Sequence, residues 1–446
     1  MQAACDWRDW EKAKTLLIEG IKAGRIVTAP FAPLATAVPA SLRKRAAEQF
    51  SAKFLPVAKD PLWKGDIYSH DRIRVGYLSY DLRDHAVANL TAELYERHDR
   101  KDFEIFGLSL SPPEKSPVRD RLKKGFDEFH ELGAKSNLEI AQFIRKLEID
   151  ILVDIGGHTR GARTAVLTHR PAPVHISYLG YPGTMGVPYM DYIVGDATLI
   201  PPDHRKFYSE KVIYLPDCYQ PTDTRKKVSK KKVTRTDYGL DENAFVFCSF
   251  NTNFKITPDL FDAWMRILKR TDGSQLWMVD KGGELHETLL SEAEARGVSP
   301  DRIIFTDIVP YADHLARHAC ADLHLDAFHY NAGTVASDAL WMGLPVLTCP
   351  GDSYSNRMAA SLLAAIDLPE LIADSHEDYE NRAVDFAANP AKLAAVRGKL
   401  LANRTTRPLF NMERYTRHLE SAYRQIVDRT REALLPDHIQ VAPIED

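Results

Sequence analysis

Apolar positions change period along the chain near residue 70. Before that point they recur at helical spacing. Trp10, Leu17 and Ile21 share one face, Pro30 and Pro33 interrupt, and residues 42–54 predict a second helix. From Ile73 onward short apolar runs alternate with amphipathic stretches. Residues 73–78, 103–110, 149–155 and 174–179 read as strands, and Val87, Leu90 and Leu94 mark one face of a helix between the first two. The segment holding Pro112, Pro113 and Pro117 reads as a polar loop. Ser136-Asn137-Leu138-Glu139 is a capping box that starts a helix with Ile140, Phe143, Ile144 and Leu147 as its buried stripe.

After an apolar strand at 212–215 comes the basic run RKKVSKKK, residues 225–232. It reads as a solvated linker between domains, with nuclear targeting or phosphate binding as the sharper alternative. A second alternating set follows: a strand at 245–250, a loop at 251–255, a helix at 258–268 with Pro258 in its first turn, and strands at 276–279 and 303–305. A helix is expected at 356–365 and another after Asn411, where Tyr415, Leu419, Ala422 and Ile426 share a face. Residues beyond Pro436 read as a frayed tail. These patterns divide the chain into a helical segment (1–70), a lobe at 71–235, a lobe at 236–410, and a helix with tail (411–446). Strands alternating with helices imply parallel sheets, which bind ligands in loops at the strand carboxyl ends. His85, His158 and Gly183 fall in such loops.

Residues 321–351, ADLHLDAFHYNAGTVASDALWMGLPVLTCPG, read as strand, small-residue loop, helix and strand. Backbone N–H groups at the entry of such a helix suit an anion. Asp338 lies about one turn in, where a carboxylate can hold a sugar hydroxyl. This is the outline of a nucleotide-sugar diphosphate site. The same stretch also reads as an ordinary βαβ crossover in which Asp338 complements the helix dipole, an effect of ~0.3–1 kcal/mol.

Composition narrows the class. At 446 residues the chain exceeds one core, and 44% hydrophobic with 27% charged residues is globular. A net charge of −4 gives no general attraction to nucleic acid or to anionic membranes. Five cysteines with no C-x-x-C pair fit reduced thiols in a cytoplasmic protein. No leader pattern and no run of roughly 18 apolar residues is present, so neither a signal peptide nor a membrane span is expected. No Asp-x-Asp pair occurs, which favours a metal-independent site. There, protein cations must supplement a helix end, which carries only about half a charge against roughly two on a nucleoside diphosphate. A lysine at 4 Å adds ~4 kcal/mol at an effective dielectric of 20. Lys255, in a strand-to-helix loop of the same domain, is the candidate, although alone it also reads as a surface lysine. His314 and His318 stand at i, i+4 but lack any H-E-x-x-H pattern, so no metal site is expected and both read as solvated helix histidines.

Several motifs occur in order from about residue 5 to 430: Cys5-Asp6-Trp7, Asp154-Ile155-Gly156-Gly157-His158-Thr159, Arg170-Pro171-Ala172-Pro173-Val174, Leu179-Gly180-Tyr181-Pro182-Gly183-Thr184, Tyr208-Ser209-Glu210-Lys211, Phe250-Asn251 through Lys255-Ile256, and Ser337-Asp338-Ala339-Leu340-Trp341. Together they resemble the catalytic region of the O-GlcNAc transferase/Spindly family; the family's tetratricopeptide array is not part of the match. The resemblance implies an α/β fold of the GT-B type, with two Rossmann-like domains facing a central cleft and an N-terminal helical segment. It implies an inverting, metal-independent transfer of a sugar to protein Ser or Thr hydroxyls, with UDP-GlcNAc the favoured donor and no cofactor. The expected partners are a nucleotide-sugar donor and a protein or peptide acceptor, with no nucleic acid and no membrane.

By the same resemblance Lys255 neutralises the leaving diphosphate, and His85 stands near the acceptor as base or orienting group. His314 stacks on the base, Arg317 contacts the nucleotide, Asp338 holds the ribose, and Thr334 with Val335 belongs to the phosphate loop. Gly183 packs against the donor sugar, and His158 is a possible acceptor-side residue or a structural turn. The chain departs from the family pattern at three places. O-GlcNAc transferases usually carry His-Thr-Thr where this chain has Gly333-Thr334-Val335, and Spindly-type O-fucosyltransferases carry Gly-Thr-Thr. A common Gln is Thr252, and a common Pro-Thr is Ala86-Val87. O-fucosyl or O-glucosyl transfer, and a catalytically weak sugar-nucleotide-binding regulator, therefore stand as alternatives; an epimerase is a more distant one.

Overall fold

The change of period near residue 70 is a change of element type. A computed structural model describes residues 5–279 and 285–444, and the chain divides into two units. The first comprises Leu17–Leu34, Val38–Arg225 and the chain from Pro408 onward; the second comprises the stretch through Leu16, Ala35–Ala37 and Lys226–Arg407. The early helices are α1 (Trp10–Lys22) and α2 (Ala40–Phe54), and Ile21, Val38 and Ala46 form a small apolar cluster between them.

The first unit then runs β1 (Ile73–Ser79), α3 (Ala86–Arg97), β2 (Phe103–Ser109), α4 (Pro117–Gly125), β3 (Glu128–Glu131), α5 (Asn137–Lys146), β4 (Ile151–Asp154), β5 (Val174–Ser177), β6 (Tyr192–Gly195) and β7 (Lys211–Tyr214). These strands pair in parallel in the order β7-β6-β5-β4-β1-β2-β3. Val75, Tyr77, Ile151, Val153 and Ile176 are fully buried in its core. All four residues of both β4 and β5 are buried, and β4 reads as an apolar run up to Asp154. The strand order reverses between β1 and β4, so the loops after these two strands flank a natural ligand crevice. One expectation is overturned here. Pro117 begins a helix instead of continuing a loop. Ser116 accepts a hydrogen bond from the Arg119 amide at 3.1 Å, and proline takes the helical position whose own N–H is not needed.

The second unit continues with β8 (Val246–Ser249), α6 (Pro258–Arg270), β9 (Gln275–Val279), α7 (Leu285–Ala295), β10 (Ile303–Thr306), α8 (Tyr311–Arg317), β11 (Leu323–Leu325), α9 (Thr334–Trp341), β12 (Val346–Leu347), α10 (Met358–Ala365), α11 (His376–Ala388) and α12 (Pro390–Asn403). Its sheet is parallel, in the order β10-β9-β8-β11-β12. The reversal lies between β8 and β11, which are followed by the Lys255 loop and by the loop into α9.

From Pro408 the chain returns to the first unit with α13 (Met412–Arg431) and β13 (Ile439–Gln440). The expected face of α13 is buried: Tyr415, Leu419, Ala422 and Ile426 join the core of the first sheet. Hydroxyl groups meet inside it. Tyr77 Oη lies 2.8 Å from His98 Nε2 and 3.1 Å from Tyr423 Oη, and Tyr178 Oη is hydrogen-bonded to Tyr415 Oη. The tail expected to fray is a strand instead. Ile439 pairs with Ile213 beside β7, the Val212 amide donates to His438 Nδ1 at 2.9 Å, and the Val441 amide donates to the Tyr214 carbonyl at 3.1 Å. An open edge strand offers unpaired backbone groups, and buried Ile439 and Val441 fix the register. Among the described residues no helix is long and apolar enough to cross a membrane.

Candidate functional site

In the second unit the loop after β11 is pinned from beneath by Asp326. One carboxylate oxygen accepts the amides of Ala327 and Ala332 at 2.8 and 2.7 Å, and the other accepts Thr348 Oγ1 at 2.7 Å. Burial pushes this carboxyl up to about 6, against the pull of those donors. The pinned loop carries Tyr330 and Asn331 to Gly333, which caps α9. A helix has no internal acceptors for its first N–H groups, so those at Thr334 and Val335 are available, and both residues are partly exposed.

From the other side of the reversal, Asn253–Lys255 forms a 3-10 turn after β8. Lys255 Nζ donates to the Asn331 carbonyl at 2.9 Å, lies 3.4 Å from Asn251 Oδ1, and sits 4.2 Å from the centre of the Tyr330 ring. A cation is thus fixed on the loop that feeds the amino end of α9, three residues before it begins.

Asp338, in the second turn of α9, is buried and doubly held through one oxygen. Lys226 Nζ lies 2.5 Å from Oδ1 and Tyr311 Oη donates to the same atom at 2.8 Å. Tyr311 opens α8, which also carries His314 and Arg317. Arg317 donates to the Asp307 carbonyl at 2.9 Å and to His314 Nδ1 at 2.6 Å, and its guanidinium lies 4.6 Å from the Phe250 ring centre. A guanidinium only donates, so His314 Nδ1 accepts and the ring proton is on Nε2. Burial, with His318 and Arg317 close by, pushes His314 down to about 2, which keeps it neutral. The expectation of solvated histidines fails. His318 is buried, Nδ1 donates to the His314 and Leu315 carbonyls, and burial pushes it down to about 4. Beneath it lies His324, also buried, pushed down to about 3 by burial and by His318 and Lys255.

In the first unit the motif residues are largely pins. Asp154 accepts the Gly156 and Gly157 amides at 2.9 and 3.2 Å, and burial pushes it up to about 6. Glu210 accepts Thr184 Oγ1 at 2.6 Å and the Met185 amide at 2.5 Å, holding the loop that contains Gly183. Arg170 bridges Asp191 and the Pro173 and Tyr189 carbonyls. A Cβ at Gly180 would stand 2.0 Å from the Ile155 carbonyl oxygen, a backbone atom that no rotamer change can move. Gly180→Ala is therefore expected to cost ~3 kcal/mol or more, read as a fall in the urea midpoint; an unchanged midpoint would show that the loop yields. At Gly183 a Cβ would lie 3.3 Å from Leu34 and Tyr181 side-chain carbons, a tight but softer approach.

His85 caps α3: its Nδ1 accepts the Val87 amide at 3.2 Å. Asp81 Oδ1 lies 3.6 Å from the same nitrogen, too far for a hydrogen bond. Burial lowers the His85 pKa, with Asp81 opposing, so the ring is neutral with its proton on Nε2. His158 donates Nε2–H to the Met185 carbonyl at 2.9 Å, and its ring stands edge-on to Tyr181 and Phe50. His85 and His158 follow β1 and β4, on either side of the reversal in the first sheet.

Lys255, His314, Arg317, Thr334, Val335 and Asp338 therefore belong to one unit, and His85, His158 and Gly183 to the other. Sequence reasoning missed Lys226, assigned to a solvated run, and Tyr311. No local signal sets Lys226 apart, since it is the second residue of a run that begins at Arg225.

The model of glycosyl transferase family 41 matches residues 4–233 and 221–419. A probable UDP-N-acetylglucosamine–peptide N-acetylglucosaminyltransferase, SEC, of Arabidopsis thaliana is 36% identical over 378 residues, 83% of this chain and 38% of the relative. The rice protein of the same description called SPINDLY is 29% identical over 366 residues, 79% of this chain and 38% of its own. The chain thus spans well under half the length of these curated relatives. Among solved structures, an O-GlcNAc transferase variant from Thermobaculum terrenum superposes with a TM-score of 0.83 at 27% identity, covering 97% of this chain and 83% of that one. The fold is GT-B, and the chain belongs to glycosyl transferase family 41.

Proposed function

We propose that the protein transfers N-acetylglucosamine from UDP-N-acetylglucosamine to Ser or Thr hydroxyls of proteins, with inversion and without a metal. The observation that carries this reading is Lys255, anchored on the Asn331 carbonyl just before the amino end of α9. An ammonium and a helix end on one loop suit the charge that develops on a departing diphosphate. Around them Asp338 takes the ribose, the N–H groups of Thr334 and Val335 take phosphate oxygens, and His314 with Arg317 takes the base. On the acceptor side, a neutral His85 whose proton is on Nε2 orients a hydroxyl by donating to it. His158, committed to the Met185 carbonyl, supports the loop beside Gly183. The lack of an Asp-x-Asp pair supports metal independence. Five free, buried cysteines support a reducing, cytoplasmic setting.

Gly333 favours a second reading, O-fucosyl or O-glucosyl transfer, because Spindly-type sequences carry glycine there. The test is a panel of radiolabelled UDP-GlcNAc, UDP-glucose and GDP-fucose with lysate proteins, with and without EDTA, and anomer analysis of the product. Label from UDP-GlcNAc, insensitive to EDTA and inverted, is the expected result. Transfer from none of the three by folded protein would leave a sugar-nucleotide-binding regulator.

A further inference from the structure

We propose that Lys226 is a positioning residue of the nucleotide pocket: its ammonium fixes one oxygen of Asp338 so that the other is presented to the ribose diol. The proposal rests on the nucleotide-sugar reading above.

Within the run RKKVSKKK, Lys226 stands apart. Lys227, Val228, Lys230, Lys231 and Lys232 are exposed, as a solvated linker requires, whereas the Lys226 side chain is 1% exposed and Asp338 is 3% exposed. A buried ion pair gains little over an apolar pair of the same volume, because both charges lose their hydration. Stability alone does not call for a lysine at this position.

What the pair does is geometric. Lys226 Nζ and Tyr311 Oη both fall on Oδ1, at 2.5 and 2.8 Å, which uses the acceptor capacity of that oxygen and fixes the carboxylate plane. Within the described residues Oδ2 carries no hydrogen bond. A carboxylate oxygen held in this way accepts from a sugar hydroxyl without rearranging, and the neutralised pair does not repel the phosphates nearby. His318 supplies no competing cation, since burial holds it neutral. The Tyr311 bond also ties α9 to α8, the helix bearing His314 and Arg317.

The experiment is titration calorimetry of the full chain with UDP, GDP and 2′-deoxy-UDP, together with donor KM and kcat. Lys226→Met is expected to weaken UDP at least tenfold and 2′-deoxy-UDP clearly less. KM for the donor rises in step while kcat at saturation stays within a few-fold, and Lys226→Arg recovers most of the affinity. In an Asp338→Asn background Lys226→Met is expected to change UDP affinity by less than threefold, because the group it positions is already altered. If Lys226→Met does not fold, Lys226→Gln takes its place. Unchanged or tighter UDP binding in the Lys226 variants overturns the proposal, as does an equal loss in the Asp338→Asn background. Failure of the unsubstituted protein to bind either UDP or GDP overturns the nucleotide reading, and the proposal with it.

Discussion

Lys255→Met is expected to lower sugar transfer roughly a thousandfold and to leave the thermal melt within a few degrees of its original midpoint. The first figure follows from charge. An ammonium about 4 Å from a departing diphosphate contributes ~4 kcal/mol at an effective dielectric of 20, and ~4 kcal/mol is about three decades in rate. That stabilisation grows as the glycosidic bond breaks, so it falls mainly on kcat and only mildly on UDP affinity. The second figure follows from what the folded protein loses. The hydrogen bond to the Asn331 carbonyl and the contact with the Tyr330 ring are each a net effect of ~1 kcal/mol. Methionine keeps most of the apolar stem. Radiolabel transfer beside a melting curve separates the two effects. Undiminished transfer would remove Lys255 from the leaving-group role whatever the melt shows.

Asp326→Ala is the substitution expected to damage the second unit most. It strands three donors at buried residues, the Ala327 and Ala332 amides and Thr348 Oγ1. At ~1–3 kcal/mol for each unsatisfied buried group, a loss of at least ~3 kcal/mol is expected. Nucleotide binding should fall with it, because the same loop carries the Asn331 carbonyl that anchors Lys255. Asp326→Asn is expected to be mild, since an amide oxygen still accepts the two backbone donors and the Thr348 hydroxyl can reverse its bond.

The pair of variants also isolates a pH effect. Burial raises the folded pKa of Asp326 from 3.8 to about 6, so between those values the folded state holds the proton more tightly than the unfolded chain. Its contribution to stability is fully present below about pH 4 and is lost as pH rises through 6, a change of order ~3 kcal/mol. Urea unfolding at pH 4.5 and pH 7 is therefore expected to show a steeper decline in the parent protein than in Asp326→Asn. Equal slopes would mean that this carboxyl does not titrate as its burial requires.

The small-residue entry to α9 and the strand-to-helix loop holding Lys255 were legible because each is a feature of a few neighbouring residues. His314 and Arg317 were not legible in this way; their own pattern read as a solvated helix face, and only the family resemblance singled them out. The core strands were legible too, because strands buried along their length leave apolar runs. What escaped was set by distant partners. A lysine in a basic run is solvated unless a carboxylate more than a hundred positions away waits beneath it, as Asp338 does for Lys226. His318 read as a solvated helix histidine, yet the fold buries it. The helix after Ser116 was hidden by three prolines and few apolar positions, and β3, with the sequence EFHE, carries almost no strand signal. The strand at Ile439 has no local signature at all; it exists because β7 offers an edge.

Several motifs that carried the family resemblance turned out to be scaffolding. Asp154, Arg170, Gly180 and Glu210 shape loops through backbone hydrogen bonds or close packing instead of presenting free functional groups. That explains how the resemblance carried the architecture without singling out a donor.

The return of the chain to the first unit has a consequence for biosynthesis. The helix that brings Tyr415 and Tyr423 into the first core, and the strand that covers the β7 edge, are translated only after all of residues 226–407. On the ribosome the first unit must wait with Tyr77, Tyr178 and an open sheet edge uncovered while the second unit is made. The first sheet begins before the second and is completed after it, and the apolar surface it exposes during that interval is a place for a chaperone to act.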